Sequence, residues 1–416
     1  MSRTFLARLE SASLWTRGHH TAQQLWALDR WIQIMSLIPS KLNFLPEFDG
    51  RDSLYSSISP EKIGGRPTIR ILTVDPSHDY FAPIEASLSI SIFGSRGQDD
   101  EYHAVSYHWG DINELETVTI HGSNNGVPGL ACEVPMTKNL TAALRRFRAE
   151  ASAHEKPLRL WIDALCINQT DAMERKSQVK NMHLIFREAM SVWIWLRESN
   201  EFVEKGLVTL INQTNSFYQP QAGTQPSPDH FLSYTLSPDK ELLYIKQLAA
   251  ISALPYWRRG WTFQENVQPR RYICYGKLRA KFYSWTLLLS TSTLYTARMQ
   301  VKLGIRSFRA LIEPLLSDSE LGFLNDQGQH ISTFAPYAFA EALWADPARF
   351  NFDPQRFSKT HFLQHIIFRT SDPRDAVLAI SKIIPELADL ELDYTSTPER
   401  IFSIATETFA KYIWWA

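Results

Sequence analysis

The chain has 416 residues, with 43 Lys and Arg against 44 Asp and Glu, a formal charge of −1. An apolar share of 44% excludes a disordered chain. Near-neutrality excludes the general basic field that gathers nucleic acid. At about 150 residues per domain, the length suits two domains or one large domain with additions. Cys132, Cys166 and Cys274 are too few and too far apart for a disulfide scaffold or a zinc knuckle, and they suit a reducing, cytoplasmic setting. No uncharged apolar run reaches about 18 residues, so no transmembrane helix is expected, and residues 1–20 lack the apolar stretch of a signal peptide.

Residues 1–38 read as helical, with Leu25, Leu28, Ile32 and Met35 on one face, inside an N-terminal extension over 1–65. Strands are expected at Ile69–Val74, around Leu88–Phe93 and at Tyr102–Trp109. Asn125-Gly126 marks a turn between strands at Glu116–Ile120 and Leu130–Val134. A helix over 138–149 follows, then a buried strand at Leu158–Ala164. Asp171 and Glu174 form a capping-box-like helix start. Ser191–Leu196 is the next buried strand. Strands alternating with helices predict parallel pairing with right-handed crossovers, a small doubly wound sheet with β-hairpin additions.

Residues 213–238, rich in Gln, Ser, Pro and Asn, read as a mobile insertion. A helix at 240–253 and a strand at Arg271–Tyr275 closed by Gly276 complete a unit over 66–280. From 281 the pattern is helical, with helices at 281–296, 301–315, 334–345, 358–369, 373–384 and 398–413, the last with Thr397 as N-cap. Residues 281–416 thus form a helical C-terminal region.

Four segments in this order resemble the fungal heterokaryon incompatibility (HET) domain family. They are YHAVSYHWGD at 102–111, LWIDALCINQTDAMERKSQVKNMHLIFREAMSVWIWL at 160–196, YWRRGWTFQENVQPRRYICYG at 256–276 and SDPRDAVLAI at 371–380. IRILTV at 69–74 and LDYTSTPERIF at 392–402 also fit. The resemblance implies non-self recognition with cell death as the output, through self-association or a protein partner. It also implies a distant relation to Toll/interleukin-1 receptor (TIR) domains, some of which are scaffolds and some NAD hydrolases. NAD would then be a substrate, with no bound cofactor.

In an open parallel sheet, ligands bind beyond the carboxyl ends of the strands. Polar groups expected there are Gly110 and Asp111, then Asp163, Asn168 and Gln169, then Trp261 and Glu265. The resemblance to TIR enzymes nominates Glu265, four residues after Trp261, as the catalytic acid, with Trp261, Trp109, Asp163 and Ser106 about the substrate. Positions i and i+4 share a helix face, so the tryptophan could stack on a flat ring while the carboxylate reaches a ribose. Cleaving a nicotinamide–ribose bond builds positive charge on the sugar, which a fixed carboxylate stabilises. Structural alternatives stand beside each role. Glu265 could pair with Arg258 or Arg259, Trp261 could be core, and Asp163 could cap the following loop. No Gly-rich phosphate loop lies near these strands. Cys166 reads as buried packing. His103 and His108, five apart on a strand, point to opposite faces and make no metal pair. His361 and His365 have the i, i+4 spacing of a two-His site but lack an acid between them, so no metal is expected.

Overall fold

Nine strands join in one sheet. They are β1 (Thr68–Val74), β2 (Glu85–Ile92), β3 (His103–Tyr107), β4 (Leu115–Asn124), β5 (Val127–Thr137), β6 (Leu158–Trp161), β7 (Ser191–Trp195), β8 (Arg271–Tyr275) and β9 (Leu278–Phe282). The structure is a computed structural model that describes residues 50–58, 67–93, 101–124, 127–152, 157–218, parts of 243–266, 270–282, 372–381 without 373, and 396–413. The described helices are α1 (Arg51–Ser57), α2 (Lys138–Ser152), α3 (Asp163–Cys166), α4 (Ala172–Glu188), α5 (Glu201–Tyr218), α6 (Thr262–Asn266), α7 (Asp375–Ser381) and α8 (Pro398–Ile413).

The sheet order is β5-β4-β2-β1-β6-β3-β7-β8-β9. The block β6-β3-β7-β8 is parallel throughout, as the alternation of strand and helix predicts. The whole sheet is mixed, because β1 joins β6 antiparallel and carries β2, β4 and β5 with it. The expected hairpin additions therefore extend the same sheet. β5, an outer strand, carries Pro128 and Pro135, opposite Ser123 and Thr117 of β4.

Every residue of β7 is buried, the mark of a strand covered on both faces. Ala104 lies in register with Trp161 and Val192, and Val105 with Trp193, so Trp161 and Trp193 face opposite sides. Phe147 of α2 packs edge-on against Trp193 and Trp195, at 4.9 and 5.8 Å between ring centroids. Phe186 of α4 meets Trp161 on the other face at 5.4 Å. The two helices thus sandwich the parallel block.

Several boundaries depart from expectation for local reasons. β6 stops at Trp161, because the amides of Leu165 and Cys166 turn back onto the Ile162 carbonyl and start α3. Asp171 does cap α4, accepting from the amides of Met173 and Glu174. Glu174 does not close a capping box. It pairs instead with Arg70 of β1, which is buried, and accepts the Asn168 amide at 2.7 Å. Arg70 also donates to the Ile58 and Cys166 carbonyls, so one guanidinium ties α1, β1, the loop after α3 and α4 together. α5 runs to Tyr218, so residues 213–218 of the expected insertion are helical. β9 was not expected. Gly276, at φ 54°, makes the turn into it, and a Cβ there would lie 2.3 Å from Cβ of Ser199. Residues 281 and 282 consequently end a strand rather than begin a helix.

α8 starts where expected, with Thr397 Oγ1 accepting the Arg400 amide, and α7 lies within the expected 373–384 helix. Val377, Leu378, Ile401 and Ala405 from these helices are buried in the core that holds the sheet. The expected helices at 1–38, 301–315, 334–345 and 358–369, the Asn125-Gly126 turn, residues 219–238, His361 and His365 lie outside the described residues. Among the described residues no helix is long and apolar enough to cross a membrane.

One loop is built around a buried cation. Arg148 of α2, 1% exposed, donates to the carbonyls of Asp79, Tyr80, Ala82 and Pro83. Phe81, in the middle of that loop, is 83% exposed, and its amide is held by Asp79 Oδ1 at 2.9 Å.

Candidate functional site

β3 and β6 are parallel neighbours, so the chain leaves both at one edge of the sheet, and α6 packs against β3 near it. Ser106 falls in the row set of Ala104 and Trp161, on the α4 face. Its Oγ donates to Glu265 Oε2 at 2.5 Å and lies 2.6 Å from the Tyr256 hydroxyl. Ser106 has one proton, so when it donates to the carboxylate, Tyr256 is the donor to Ser106. Glu265 is 2% exposed. Burial pushes its carboxyl up to about 7. Asp163 raises it further, while Arg259 and the Ser106 hydrogen bond oppose the rise.

Asp163, at the start of α3, forms the second half of the cluster. Its Oδ2 accepts from Trp109 Nε1 at 3.0 Å and from Arg259 Nη2 at 3.4 Å; burial and then the Asp163 charge push the nearby Tyr107 phenol well above its ordinary value. Its Oδ1 takes the Ala164 amide at 2.8 Å, the local capping bond. Arg259 also donates to the Tyr107 carbonyl, and its guanidinium lies 5.8 Å from the Trp109 ring centroid. Burial works against the Arg259 charge, but Asp163 and Glu265 outweigh it and hold the cation above its ordinary value.

The 108–111 loop is fixed from below. Gly110 sits at φ 88°, and a Cβ there would come within 2.9 Å of the Asn139 Cβ. Asn139 Nδ2 donates to the His108 carbonyl, Thr137 Oγ1 to the Trp109 carbonyl, and Trp195 Nε1 to Asn139 Oδ1. The start of α2 thereby holds Trp109 over Asp163.

Four of the five residues nominated from sequence, Glu265, Ser106, Asp163 and Trp109, meet here from segments far apart in the chain. Ser106 is fully buried and its hydroxyl is engaged by Glu265 and Tyr256, so it faces the acid rather than an open surface. Trp261 is only half-buried; its carbonyl accepts the Glu265 amide and its ring packs on the core. The expected ion pair of Glu265 with an arginine takes another form. Ser106 supplies the hydrogen bond, Arg259 pairs with Asp163, and Arg259 reaches Glu265 through its field; the Arg258 side chain lies outside the described residues.

Tyr256 and the bridging role of Arg259 were not foreseen. The only signal was their place in the YWRRGW segment, five residues or fewer before Trp261. The other titratable candidates are occupied structurally. The Cys166 thiol is buried and pushed up to about 12. His103 stacks on Trp193 at 4.7 Å, and burial, aided by Arg279, lowers it to about 4. His108 Nδ1 accepts the Gly110 amide. Among the described residues no group of three or more His, Cys, Asp or Glu is placed to hold a metal.

Comparison with known proteins agrees with the motifs that build this cluster. Residues 102–265 match the model of the family described as Heterokaryon incompatibility protein (HET), and the match begins just before β3 and ends on Glu265. The chain is also similar to Heterokaryon incompatibility protein 6, OR allele, of Neurospora crassa, at 29% identity over 133 residues, 32% of this chain. That match spans 19% of the length of the Neurospora protein. No solved structure matches. The segment that supplies Ser106, Trp109, Asp163, Tyr256, Arg259 and Glu265 is therefore the part of the chain that is similar to the heterokaryon incompatibility (HET) domain.

Proposed function

We propose that the chain is a heterokaryon-incompatibility-type effector of non-self recognition and cell death, and that its Glu265 centre acts as a TIR-like site on NAD. The observation that carries the reading is the convergence of an acid, two hydroxyls, an Arg–Asp pair and a tryptophan at the carboxyl edge of parallel strands, where α/β sheets take ligands. Glu265, poised at about 7, is ionised in a substantial fraction of molecules at neutral pH. In that form it would stabilise or capture the ribosyl cation left when the nicotinamide bond breaks. Trp109 and Trp261, both half-buried at the rim, are the surfaces for a flat ring. Because Glu265 is 2% exposed, α6 must shift for substrate to reach it, which fits an effector held silent until triggered. Purified protein incubated with NAD is expected to release nicotinamide once activated, and Glu265→Gln to abolish release; activity retained by that variant refutes the assignment.

A second reading is favoured by a separate observation. Phe81 is 83% exposed on a loop clamped by Arg148, the form of a rigid aromatic anchor for a partner or a second copy. In a non-catalytic scaffold, cell killing survives Glu265→Gln and is lost in Phe81→Ala. The catalytic reading requires the reverse for Glu265→Gln.

A further inference from the structure

We propose that Tyr256 is a positioning residue of this centre, acting through Ser106 on the Glu265 carboxylate. The inference rests on the reading of Glu265 as the working acid and adds to it a residue that no comparison assigns. Three elements contribute one group each: the 3-10 turn Pro255–Arg258 gives Tyr256, β3 gives Ser106, and α6 gives Glu265. The three oxygens form an unbroken chain, 2.6 Å then 2.5 Å, closed to solvent at every member.

The chain has a direction. With Glu265 ionised, the Ser106 proton points at Oε2, and the Ser106 lone pair receives the Tyr256 proton. A hydroxyl that accepts a hydrogen bond becomes a stronger donor, so Tyr256 strengthens the bond that favours the carboxylate. When Glu265 takes up a proton on Oε2, it becomes a donor to Ser106, and the Ser106 proton turns toward Tyr256. Protonation therefore reverses both bonds together.

Other charges on Glu265 come from Arg259, which favours ionisation, and Asp163, which opposes it. β7 carries no titratable side chain. On the remaining elements packed against α6, β3 carries the Tyr107 phenol, which burial above all and the Glu265 charge in part push well above its ordinary value; Glu174 of α4 is taken by Arg70, Asp372 just before α7 is taken by Arg374, and Asp375 is the acid of α7 itself. The hydroxyl chain is thus the part of the environment that a single hydroxyl-deleting substitution can remove without touching a charge.

The test is made on the full chain. Glu265 ionisation is followed by its carboxyl infrared band across pH, taken as the difference from Glu265→Gln. Tyr256→Phe is expected to raise the midpoint by about 0.5 pH unit and Ser106→Ala by about 1 or more, since each weakens a bond to the charged form. If Tyr256 acts through Ser106, the double variant matches Ser106→Ala alone. Fluorotyrosine at 256, a stronger donor that keeps the ring, should lower the midpoint, and it covers the case in which Tyr256→Phe does not fold. A midpoint unmoved by Tyr256→Phe and by fluorotyrosine, or shifts that add in the double variant, overturns the proposal. Nicotinamide release is scored separately. Shifted midpoints without release in any variant reject the NAD reading and keep Tyr256 as a positioning residue. Release whose pH profile ignores Tyr256 does the opposite.

Discussion

Glu265 carries a free-energy signature that is measurable without any substrate. Unfolded, its carboxyl titrates near 4.5; folded, it titrates at about 7. Between those values the folded protein holds a proton that the unfolded chain has released. The stabilising effect is complete below about pH 4.5 and disappears as pH rises through 7, so the ionised acid is a burden worth roughly 3 kcal/mol on alkaline approach. Glu265→Gln keeps an oxygen for Ser106 and removes the charge. Its melting temperature is expected to exceed that of the native chain at pH 8 and to converge with it at pH 4.5. His103 works in the other direction, since its lowered value means stability lost as pH falls from 6.5 through about 4. That loss is common to both proteins and cancels in the comparison. Equal alkaline losses in both would show that the buried acid is not their source.

Besides the shared core, arginines placed on backbone carbonyls join several elements. Arg70 is the clearest case. It is 1% exposed, it stacks over Tyr55 at 4.7 Å, and Glu174 beside it is 10% exposed. Arg70→Met should cost about 3–5 kcal/mol by urea unfolding, because Glu174 is left buried and unpaired. Adding Glu174→Met should recover part of that loss. Recovery would identify the stranded charge, rather than lost packing, as the cause.

Legibility also differs by element. β7 could be read because SVWIW is buried on both faces, and β3 because its residues suit a strand in any environment. β9 could not, since LRAKF holds two cations and pairs as a strand only with β8. The caps of α4 and α8 are local chemistry and were visible; the diversion of Glu174 to Arg70, 104 residues away, was not. For the site, family resemblance pointed to Glu265. Its enclosure by Ser106 and Tyr256 depends on contacts 159 and 150 residues apart, which no local pattern encodes.

At the scale of the molecule, the last two described helices belong to the same core as the sheet. Val377 and Ile401 are fully buried, α7 lies against α6, and Arg374 holds both Asp372 and the Ser396 carbonyl. Ending the chain before 372 should therefore lower the melting temperature and raise binding of an apolar dye, with the helix that carries Glu265 loosened first. If the centre is held silent by this packing, the shortened protein also releases nicotinamide faster per folded molecule; slower or equal release would place the restraint elsewhere.

The outer strands set a rule for how copies can come together. Pro128 and Pro135 each deny β5 an amide, and β9 presents Arg279 and Lys281 along the opposite flank. Templated growth by adding strand to strand, the route to fibres, is obstructed on both flanks of the described sheet. Among the described surfaces, contact between copies is left to side-chain patches such as the Phe81 tip, which is 83% exposed.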